Sequence, residues 1–468
     1  MRRVLFCLVW LMFIFSSAVS RAEGKSRFPG GRCYLYRLQL SDKQGTPFSI
    51  DHPEAFLSQR AIERRRRQGL AVDSTDLPLS PVYRQLIEAE GVEVVAQSRW
   101  RNTLLVRCRK PETMRKVESL TFVVSATKVW TSPDSLQRRK PRAHYSSDIH
   151  YLDSFSVHEE GMAYDQLHMH EGDRMHRAGY RGRGVHIAVL DGGFMNADVI
   201  PALKKTHIIG TADFVYPQSE DIFHETDHGT MVLSALAANE PGLFIGSAPE
   251  ASYWLLRSEE TDSETPAEED FWTAAVEFAD SAGVDIISSS LGYHDYDDAT
   301  QSYRYRQLDG RSSFISQTAS MLAGKGIVLV SSAGNDGMGT WKKINVPADA
   351  LDILTVGAVS IDGCNAAFSA IGPTADGRVK PDVMSLGSPT VVITGRGHLS
   401  KDIGTSFSTP IVAGLVACLW QTCPQKTALE IIDMVRHSGD NNDVPDNIFG
   451  YGIPDFWKAF SELRLHEN

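Results

Sequence analysis

The sequence predicts an α/β protein with a doubly wound, mostly parallel sheet, preceded by a small α+β unit of ferredoxin-like order. Three observations support this. In the C-terminal two thirds, short β-branched runs alternate with helical segments, which is typical of parallel sheets with helices on both faces. The segment before residue 130 ends instead in a β-β-α-β run. A polar, proline-containing stretch at 131–150 lies between the two parts and predicts an exposed linker.

The first 22 residues predict a cleaved signal peptide. Two arginines precede an uncharged apolar run from Val4 to Phe15, which is too short to span a bilayer. Small residues follow, and we expect cleavage after Ala22, with Ala18 and Ser20 as alternatives. The remaining chain has no apolar stretch of transmembrane length, so we expect a secreted protein, periplasmic or extracellular, with no membrane span after processing.

The N-terminal unit, 23–130, predicts seven elements in order. They are a strand at 33–40, helices at 54–68 and 81–90, strands at 92–97 and 103–108, a helix at 111–120 and a strand at 121–129. The first helix carries four consecutive arginines at 64–67, for which we expect a solvated helical face rather than a processing signal.

Charge is divided unevenly between the two parts. Residues 23–150 carry 23 Lys and Arg against 14 Asp and Glu, whereas residues 151–468 carry 21 against 44. Because opposite potentials favour association, we expect the two units to dock on each other. Nucleic-acid binding is the competing interpretation of the basic part, but no recognition motif accompanies the charge, and we expect no nucleic-acid partner.

The linker gives the N-terminal unit two alternative roles. A small unit on an exposed, cleavable linker fits a pro-domain, and the basic triplet at 138–140 is a candidate processing point. A permanent accessory domain is the alternative.

Cysteine content predicts no disulfide scaffold. Five cysteines remain once Cys7 is lost with the signal peptide. Cys418 and Cys423 could close a small loop, but the pairing stays open. No Cys/His spacing suggests a zinc site.

The C-terminal unit, 151–468, alternates strands and helices along its length. Predicted strands lie at 185–190, 253–256, 284–289, 326–332, 346–359 and 391–394, and predicted helices at 231–238, 271–282, 313–323, 411–420 and 456–465. Ligand and catalytic sites of such sheets lie outside the carboxyl ends of the strands.

A serine stands where a tight turn leads into a helix that is apolar on every face. The turn is GTSFSTP at 404–410 and the apolar run is 411–420, which predicts a buried helix. A hydroxyl at the positive end of such a helix is well placed to be a nucleophile, so Ser406 is a candidate. Helix capping by Thr405 and Ser406 is the alternative interpretation.

Three further polar residues occupy strand ends or helix starts. Asp191 follows the strand at 185–190, His228 opens the helix after it, and Asn335 follows the strand at 326–332. Acyl transfer needs a nucleophile, a base, a carboxylate that orients the base and an oxyanion donor, and all four chemical types are present. The chain order Asp191, His228, Ser406 is one of the known orders of a Ser-His-Asp triad.

Five ordered motifs give the chain a resemblance to a known family. VLDGG at 189–193, HGT at 228–230, SLG at 290–292, SSAGND at 331–336 and GTSFSTP at 404–410 resemble those of subtilisin-like serine proteases (subtilases, peptidase family S8), over about residues 160–460. The resemblance implies a subtilisin-like fold and a secreted serine endopeptidase made as a zymogen. Its partners would be protein or peptide substrates and its own N-terminal unit, acting as intramolecular inhibitor and chaperone.

The resemblance also implies a role for each site residue. Ser406 would be the nucleophile, His228 the general base and acid, Asp191 the orienting carboxylate and Asn335 the side-chain oxyanion donor. Substrate-binding positions would be Ser290, Leu291, Gly292, Ser332, Ala333 and Gly334. The chemistry needs no cofactor and no metal is assigned; structural calcium occurs in relatives, but no calcium loop is recognisable here.

Two positions depart from the family pattern. Gly192 stands where Ser or Thr usually follows the catalytic Asp, so the hydroxyl that can bond the carboxylate is missing. Ser234 replaces a usual glycine. Gly192 is the feature that favours the alternative function, a catalytically inactive binding module with the same fold.

An acidic loop follows the strand at 253–256. It contains Glu259, Glu260, Asp262 and Glu264 and continues into acidic residues at 268–270. The resemblance places the substrate-pairing edge about here, so these groups would favour basic substrate residues upstream of the cut. A solvated loop is the alternative.

Overall fold

We describe the fold from a computed structural model of the chain, over residues 33–132, 158–217, 219 and 221–467. The predicted signal peptide at 1–22 and most of the predicted linker at 131–150, including the basic triplet, lie outside these residues. Within them, every helix is too short or too polar to cross a membrane.

The N-terminal unit is a four-stranded antiparallel sheet with strand order β2-β3-β1-β4. Leu38, Leu104 and Val106 pack on one side of this sheet against its helices and form a small core. The elements are β1 (Tyr34–Leu40), α1 (Gln59–Arg67), α2 (Pro81–Ala89), β2 (Glu93–Ser98), β3 (Thr103–Cys108), α3 (Pro111–Glu118) and β4 (Val123–Thr131).

The C-terminal unit is built on a seven-stranded parallel sheet with strand order β13-β12-β11-β10-β5-β9-β6. Its strands are β5 (His186–Asp191), β6 (His207–Asp213), β9 (Ser252–Arg257), β10 (Ile286–Ser289), β11 (Val328–Ser332), β12 (Leu354–Ser360) and β13 (Val383–Ser388). Two short antiparallel pairs lie outside it: β7 (Asn239–Glu240) with β8 (Phe244–Ile245), and β14 (Thr390–Ile393) with β15 (Leu399–Asp402).

Helices cover both faces of the parallel sheet. Successive β5 side chains point to opposite faces, so Ile187 and Val189 join one core while Ala188 and Leu190 join the other. The first core contains α6 (His228–Ala237) and α9 (Thr405–Thr422), and the second contains α7 (Ala267–Ala282) and α8 (Phe314–Ala319). The remaining helices are α4 (Tyr164–His168), α5 (Gly172–Arg177), α10 (Ala428–His437) and α11 (Phe456–Glu467). This is the predicted doubly wound architecture.

The strand predictions failed at two places. The predicted strand at 346–359 begins only at residue 354, as β12 (Leu354–Ser360), because Pro347 interrupts the run and Val346 pairs with Tyr293 across an isolated bridge. The predicted strand at 391–394 belongs to a separate two-stranded sheet rather than to the parallel one.

The two units dock on each other through ion pairs between arginines of the N-terminal unit and carboxylates on α7 of the C-terminal unit. Arg37 pairs with Asp270, and Arg64, Arg65 and Arg99 all pair with Asp280. The charge-based prediction of docking is therefore confirmed.

The prediction of a solvated arginine face on α1 is wrong. Arg64 and Arg65 are each 1% exposed, because the helix lies against the second unit and turns these two side chains into it. Arg66 is exposed, and Arg67, at the edge of the contact, is 39% exposed and approaches Asp285 of the second unit at 3.5 Å.

All five cysteines of the described residues are free thiols, including Cys418 and Cys423. The small loop that this pair could close is therefore not formed.

Candidate active site

The candidate histidine and aspartate form a direct pair. Asp191 is the last residue of β5 and His228 the first of α6, and the His228 Nδ1 lies 2.9 Å from Asp191 Oδ2 and 3.0 Å from Oδ1. The Asp191 side chain is 1% exposed, whereas that of His228 is 33% exposed. A buried carboxylate thus holds an imidazole that remains accessible from outside.

Gly229 permits this close approach, and the backbone of Gly192 supports the carboxylate. A Cβ at Gly229 would lie 2.3 Å from the Gly193 carbonyl oxygen and 2.8 Å from Asp191 Cβ, so only glycine lets α6 start directly against the aspartate. The Gly192 N–H donates to Asp191 Oδ1 at 2.8 Å. This backbone bond supports the carboxylate in the absence of the hydroxyl expected at position 192.

Thr226 and Thr261 occupy the space beside Gly192. A Cβ at Gly192 would lie 2.9 Å from Thr261 Cγ2 and 3.2 Å from Thr226 Cγ2. A side chain at 192 therefore requires Thr261 to move, which gives the departure from the family pattern a packing reason.

Ser406 lies in the first turn of α9 and is 8% exposed. It lines a cleft of about 320 Å³ together with Asp191, His228 and Asn335. Within the described part of the chain no hydrogen bond joins Ser406 to His228; the hydroxyl donates to the Ser290 carbonyl oxygen at 3.5 Å. Hydrogen bonds between catalytic groups are often long or poorly aligned without substrate and tighten only when it binds.

Thr405 fixes the orientation of Asn335. The backbone N–H and the side-chain hydroxyl of Thr405 both donate to Asn335 Oδ1, each at 2.9 Å. Because the amide oxygen is held in this way, its nitrogen Nδ2 is directed away from Thr405 and is available as a donor. The sequence interpretation treated Thr405 only as a helix cap; its position beside the serine could have indicated this second role.

Two backbone segments form walls of the cleft. Five of the six predicted substrate-binding residues line it: Ser290, Leu291, Gly292, Ser332 and Gly334. Ser290 also donates its hydroxyl to the Ser406 carbonyl at 2.8 Å, which ties one wall to the start of α9. Ala333 is fully buried behind the other wall, where its carbonyl accepts from the Asn345 N–H.

The acidic surroundings change the basicity of His228. Burial lowers the pKa of His228, but the Asp191 carboxylate outweighs this effect and, with smaller contributions from Glu259 and Asp227, raises it to about 9. Burial, then the neighbouring Glu264 and Asp191 carboxylates, raise the pKa of Glu259 to about 8. The cleft therefore favours positive charge.

The acidic loop is only partly available to a substrate. Glu259 lines the cleft, but Glu268 is buried and accepts the N–H groups of Glu260 and Thr265. The next two acidic residues, Glu269 and Asp270, are also buried. Glu269 accepts a hydrogen bond from the Tyr296 hydroxyl, and Asp270 pairs with Arg37 of the N-terminal unit.

Glu259, Glu264 and Glu268 approach one another closely enough to share a ligand. Each offers a carboxylate oxygen within 4.8 Å of the others. Burial raises the pKa of each of these carboxyls, to about 8 for Glu259 and about 7 for Glu264. Acidic clusters also exist without a metal, and we assign no ion to this one.

Comparisons with known proteins support the same assignment as the site geometry. A profile of the subtilase family matches residues 182–452, and one of the peptidase S8 propeptide domain of Bacteroidota matches residues 35–146. Serine protease AprX of Bacillus subtilis is 30% identical, and the match covers 58% of this chain and 65% of the relative. Subtilisin NAT of B. subtilis subsp. natto is 28% identical, over 56% of this chain and 62% of the relative. Subtilisin-like protease SBT6.1 of Arabidopsis thaliana is also 28% identical, over 57% of this chain and 24% of the relative. The chain thus spans between about a quarter and two thirds of the length of these relatives. Since the family profile covers more than half of the chain, the protein belongs to the subtilase family.

Proposed function

We propose that this protein is a serine endopeptidase, secreted and made as a zymogen, which cleaves peptide bonds through an acyl-enzyme on Ser406. The observation that carries the proposal is the buried Asp191 carboxylate paired with an accessible His228, in a cleft that Ser406 and Asn335 also line. The family assignment supports the same chemistry.

In the proposed mechanism each group has one task. Neutral His228 accepts the Ser406 proton at Nε2 as Oγ attacks the substrate carbonyl, while Asp191 holds Nδ1–H and stabilises the imidazolium that forms. The oxyanion binds the Asn335 amide nitrogen and the Ser406 N–H, which as a first-turn group has no intrahelical acceptor. His228 then protonates the leaving amine, and water hydrolyses the acyl-enzyme through the same base.

The proposal of a zymogen is supported by the docked N-terminal unit and the propeptide profile. The sheet of this unit lies against α7: Glu277 accepts hydrogen bonds from the Ser98 hydroxyl and from the N–H groups of Arg99 and Trp100. Next to it, Arg37 pairs with Asp270 and its guanidinium lies 3.8 Å from the centroid of the Phe314 ring. We propose that this unit inhibits the enzyme and assists its folding; the domain boundaries at 130 and 150 stay predictions.

The test is covalent labelling with a fluorophosphonate probe, followed by identification of the modified residue. We expect an adduct on Ser406 and none in the Ser406→Ala chain, which should also fail to process its own linker. Asp443→Asn, an exposed substitution outside the cleft, serves as a folding-matched control and should label normally. A folded wild-type protein that forms no adduct, even after removal of the N-terminal unit by limited proteolysis, would instead be an inactive binding module.

A further inference from the structure

Arg257 ends the strand that lies beside the one carrying the Asp191 carboxylate. In the register of the parallel sheet, Arg257 of β9 is the neighbour of Asp191 on β5 and of Asp213 on β6. Its side chain is only 1% exposed. A buried cation thus stands next to the carboxylate that orients His228 in the proposed function.

The guanidinium of Arg257 binds one backbone carbonyl and a set of carboxylates. Its Nε donates to the Gly192 carbonyl oxygen at 2.9 Å, and Nη1 donates to Asp213 Oδ2 at 3.1 Å. Glu225 and Glu260 lie farther out, each with an oxygen 3.7 Å from one of the two Nη atoms. Because the guanidinium is planar and its donors are fixed relative to one another, the carboxylates on the Nη side set the direction of the Nε–H bond.

Gly192 connects this guanidinium to Asp191, because both of its polar backbone groups are occupied. Its N–H donates to Asp191 Oδ1 at 2.8 Å, and its carbonyl accepts from Arg257. A hydrogen bond from a charged donor such as a guanidinium is about twice as strong as one between neutral groups. A residue that is held firmly at its carbonyl has little freedom to turn its N–H away from the carboxylate.

The turn needs such a hold because both residues after Asp191 are glycines. A Cβ at Gly193 would lie 2.4 Å from Glu225 Cβ and 2.9 Å from the Thr226 backbone nitrogen, so packing leaves no room for a side chain there. Glycine has more accessible backbone conformations than any other residue. Without an external contact, the N–H of Gly192 would be poorly fixed, and position 192 has no hydroxyl to bond the carboxylate instead.

We propose that Arg257 is a positioning residue for the Asp191 carboxylate: it holds the Gly192 carbonyl and thereby keeps the Gly192 N–H on Asp191. The inference rests on the proposed endopeptidase function and adds to it a residue that acts through the backbone rather than on the substrate. This backbone bond takes the place of the hydroxyl bond that the family pattern offers at position 192.

Arg257→Lys tests the proposal without removing the positive charge. An ammonium group still neutralises the buried carboxylates, but it lacks the planar fork that binds a carbonyl and a carboxylate at once. With a small ester as substrate, we expect kcat of the processed enzyme to fall about tenfold, as loss of one hydrogen bond on a charged group implies, whereas KM should change less than about twofold. Because kcat is expressed per serine that a fluorophosphonate labels, loss of folded protein alone does not lower it.

A second measurement does not depend on turnover. Burial lowers the pKa of His228 and the Asp191 carboxylate raises it, to about 9. A poorly oriented carboxylate raises this pKa less, so in the full chain with Ser406→Ala the Arg257→Lys substitution should lower the midpoint of the His228 NMR titration by about 0.5 to 1 pH unit. The other carboxylates that raise this pKa are unchanged in the variant.

Arg436→Lys is the matched control. Arg436 also binds a carboxylate and a carbonyl, those of Asp382 and Ile353, but it is not among the residues described as lining the cleft. We expect this variant to lose stability in thermal unfolding and to keep the wild-type kcat and titration midpoint.

The outcomes separate this inference from the proposed function. Wild-type kcat and midpoint in a folded Arg257→Lys chain would overturn the inference alone. If that chain does not fold, Asp213→Asn, which releases Nη1 of the guanidinium, should lower kcat about threefold, and an unchanged kcat would overturn the inference instead. A wild-type protein that neither labels nor cleaves would overturn the proposed function, whereas a lowered midpoint in Arg257→Lys would still show that Arg257 orients the pair of Asp191 and His228.

Discussion

Replacement of Arg64 by methionine should undock α1 far more than the same replacement of Arg67, three positions along the helix. Arg64 is 1% exposed and pairs with Asp280, which is fully buried, and it also donates to the carbonyls of Val284 and Lys325. Arg67 is 39% exposed and approaches Asp285 only to 3.5 Å. The pair is thus matched in residue type and helix but differs in burial.

The expected magnitudes follow from this difference. Removing one partner of a buried ion pair costs about 3–5 kcal/mol, and because Asp280 keeps Arg65 and Arg99 we expect the lower end, about 3 kcal/mol, or roughly 100-fold in the docking equilibrium. An exposed pair contributes at most about 1 kcal/mol, or roughly fivefold.

Hydrogen exchange of the α1 backbone amides measures this equilibrium directly. A nine-residue helix is not stable alone in water, so protection of its amides depends on docking. The measurement uses the full chain with Ser406→Ala, which prevents processing. Exchange that accelerates by similar factors in the Arg64→Met and Arg67→Met chains would refute the assignment of docking energy to the buried pair.

Three further predictions concern the site itself. Asn335→Ala should lower kcat about 10²–10³-fold, the usual effect of losing one oxyanion donor, and steady-state kinetics with unchanged kcat would exclude that role. The proposed base His228 must be neutral to accept a proton, and its pKa is raised to about 9, so kcat/KM for a small ester should increase with pH up to that value. Glu259→Gln removes a neighbouring carboxylate and should move the midpoint of this increase to lower pH; a flat profile between pH 7 and 9 would contradict the proposed role. Gly229→Ala should reduce the rate of fluorophosphonate labelling at least tenfold, since its Cβ would lie 2.8 Å from Asp191 Cβ, whereas Gly324→Ala, with open space around its Cβ, should label like the wild type.

The parallel sheet and the places of the polar residues at its edge could be predicted from sequence because both depend on local pattern. A β-branched run that ends in Asp191 and a helix that opens with His228 are visible without tertiary information. Strands β6 and β13 were not predicted: β6 is an edge strand in which only one of seven residues is buried, and β13 is a short run that directly follows a proline-containing loop, so neither has a clear periodic signal.

Features that depend on a distant partner could not be predicted. The burial of Arg64 and Arg65 is decided by Asp280, which is more than two hundred residues away, and the arginine run by itself is typical of an exposed helix.

The packing beside Gly192 has a consequence for how this site can change over generations. A side chain at 192 and the methyl group of Thr261 compete for one volume, although 69 positions of sequence separate them. The two sites are therefore epistatic: Gly192→Ser alone must displace Thr261, whereas after Thr261→Gly the same substitution loses this contact and meets only Thr226 Cγ2, at 3.2 Å. The order of mutation therefore decides whether a lineage can place a hydroxyl beside the Asp191 carboxylate. A survey of natural sequences should find bulk at one of these positions paired with a small residue at the other.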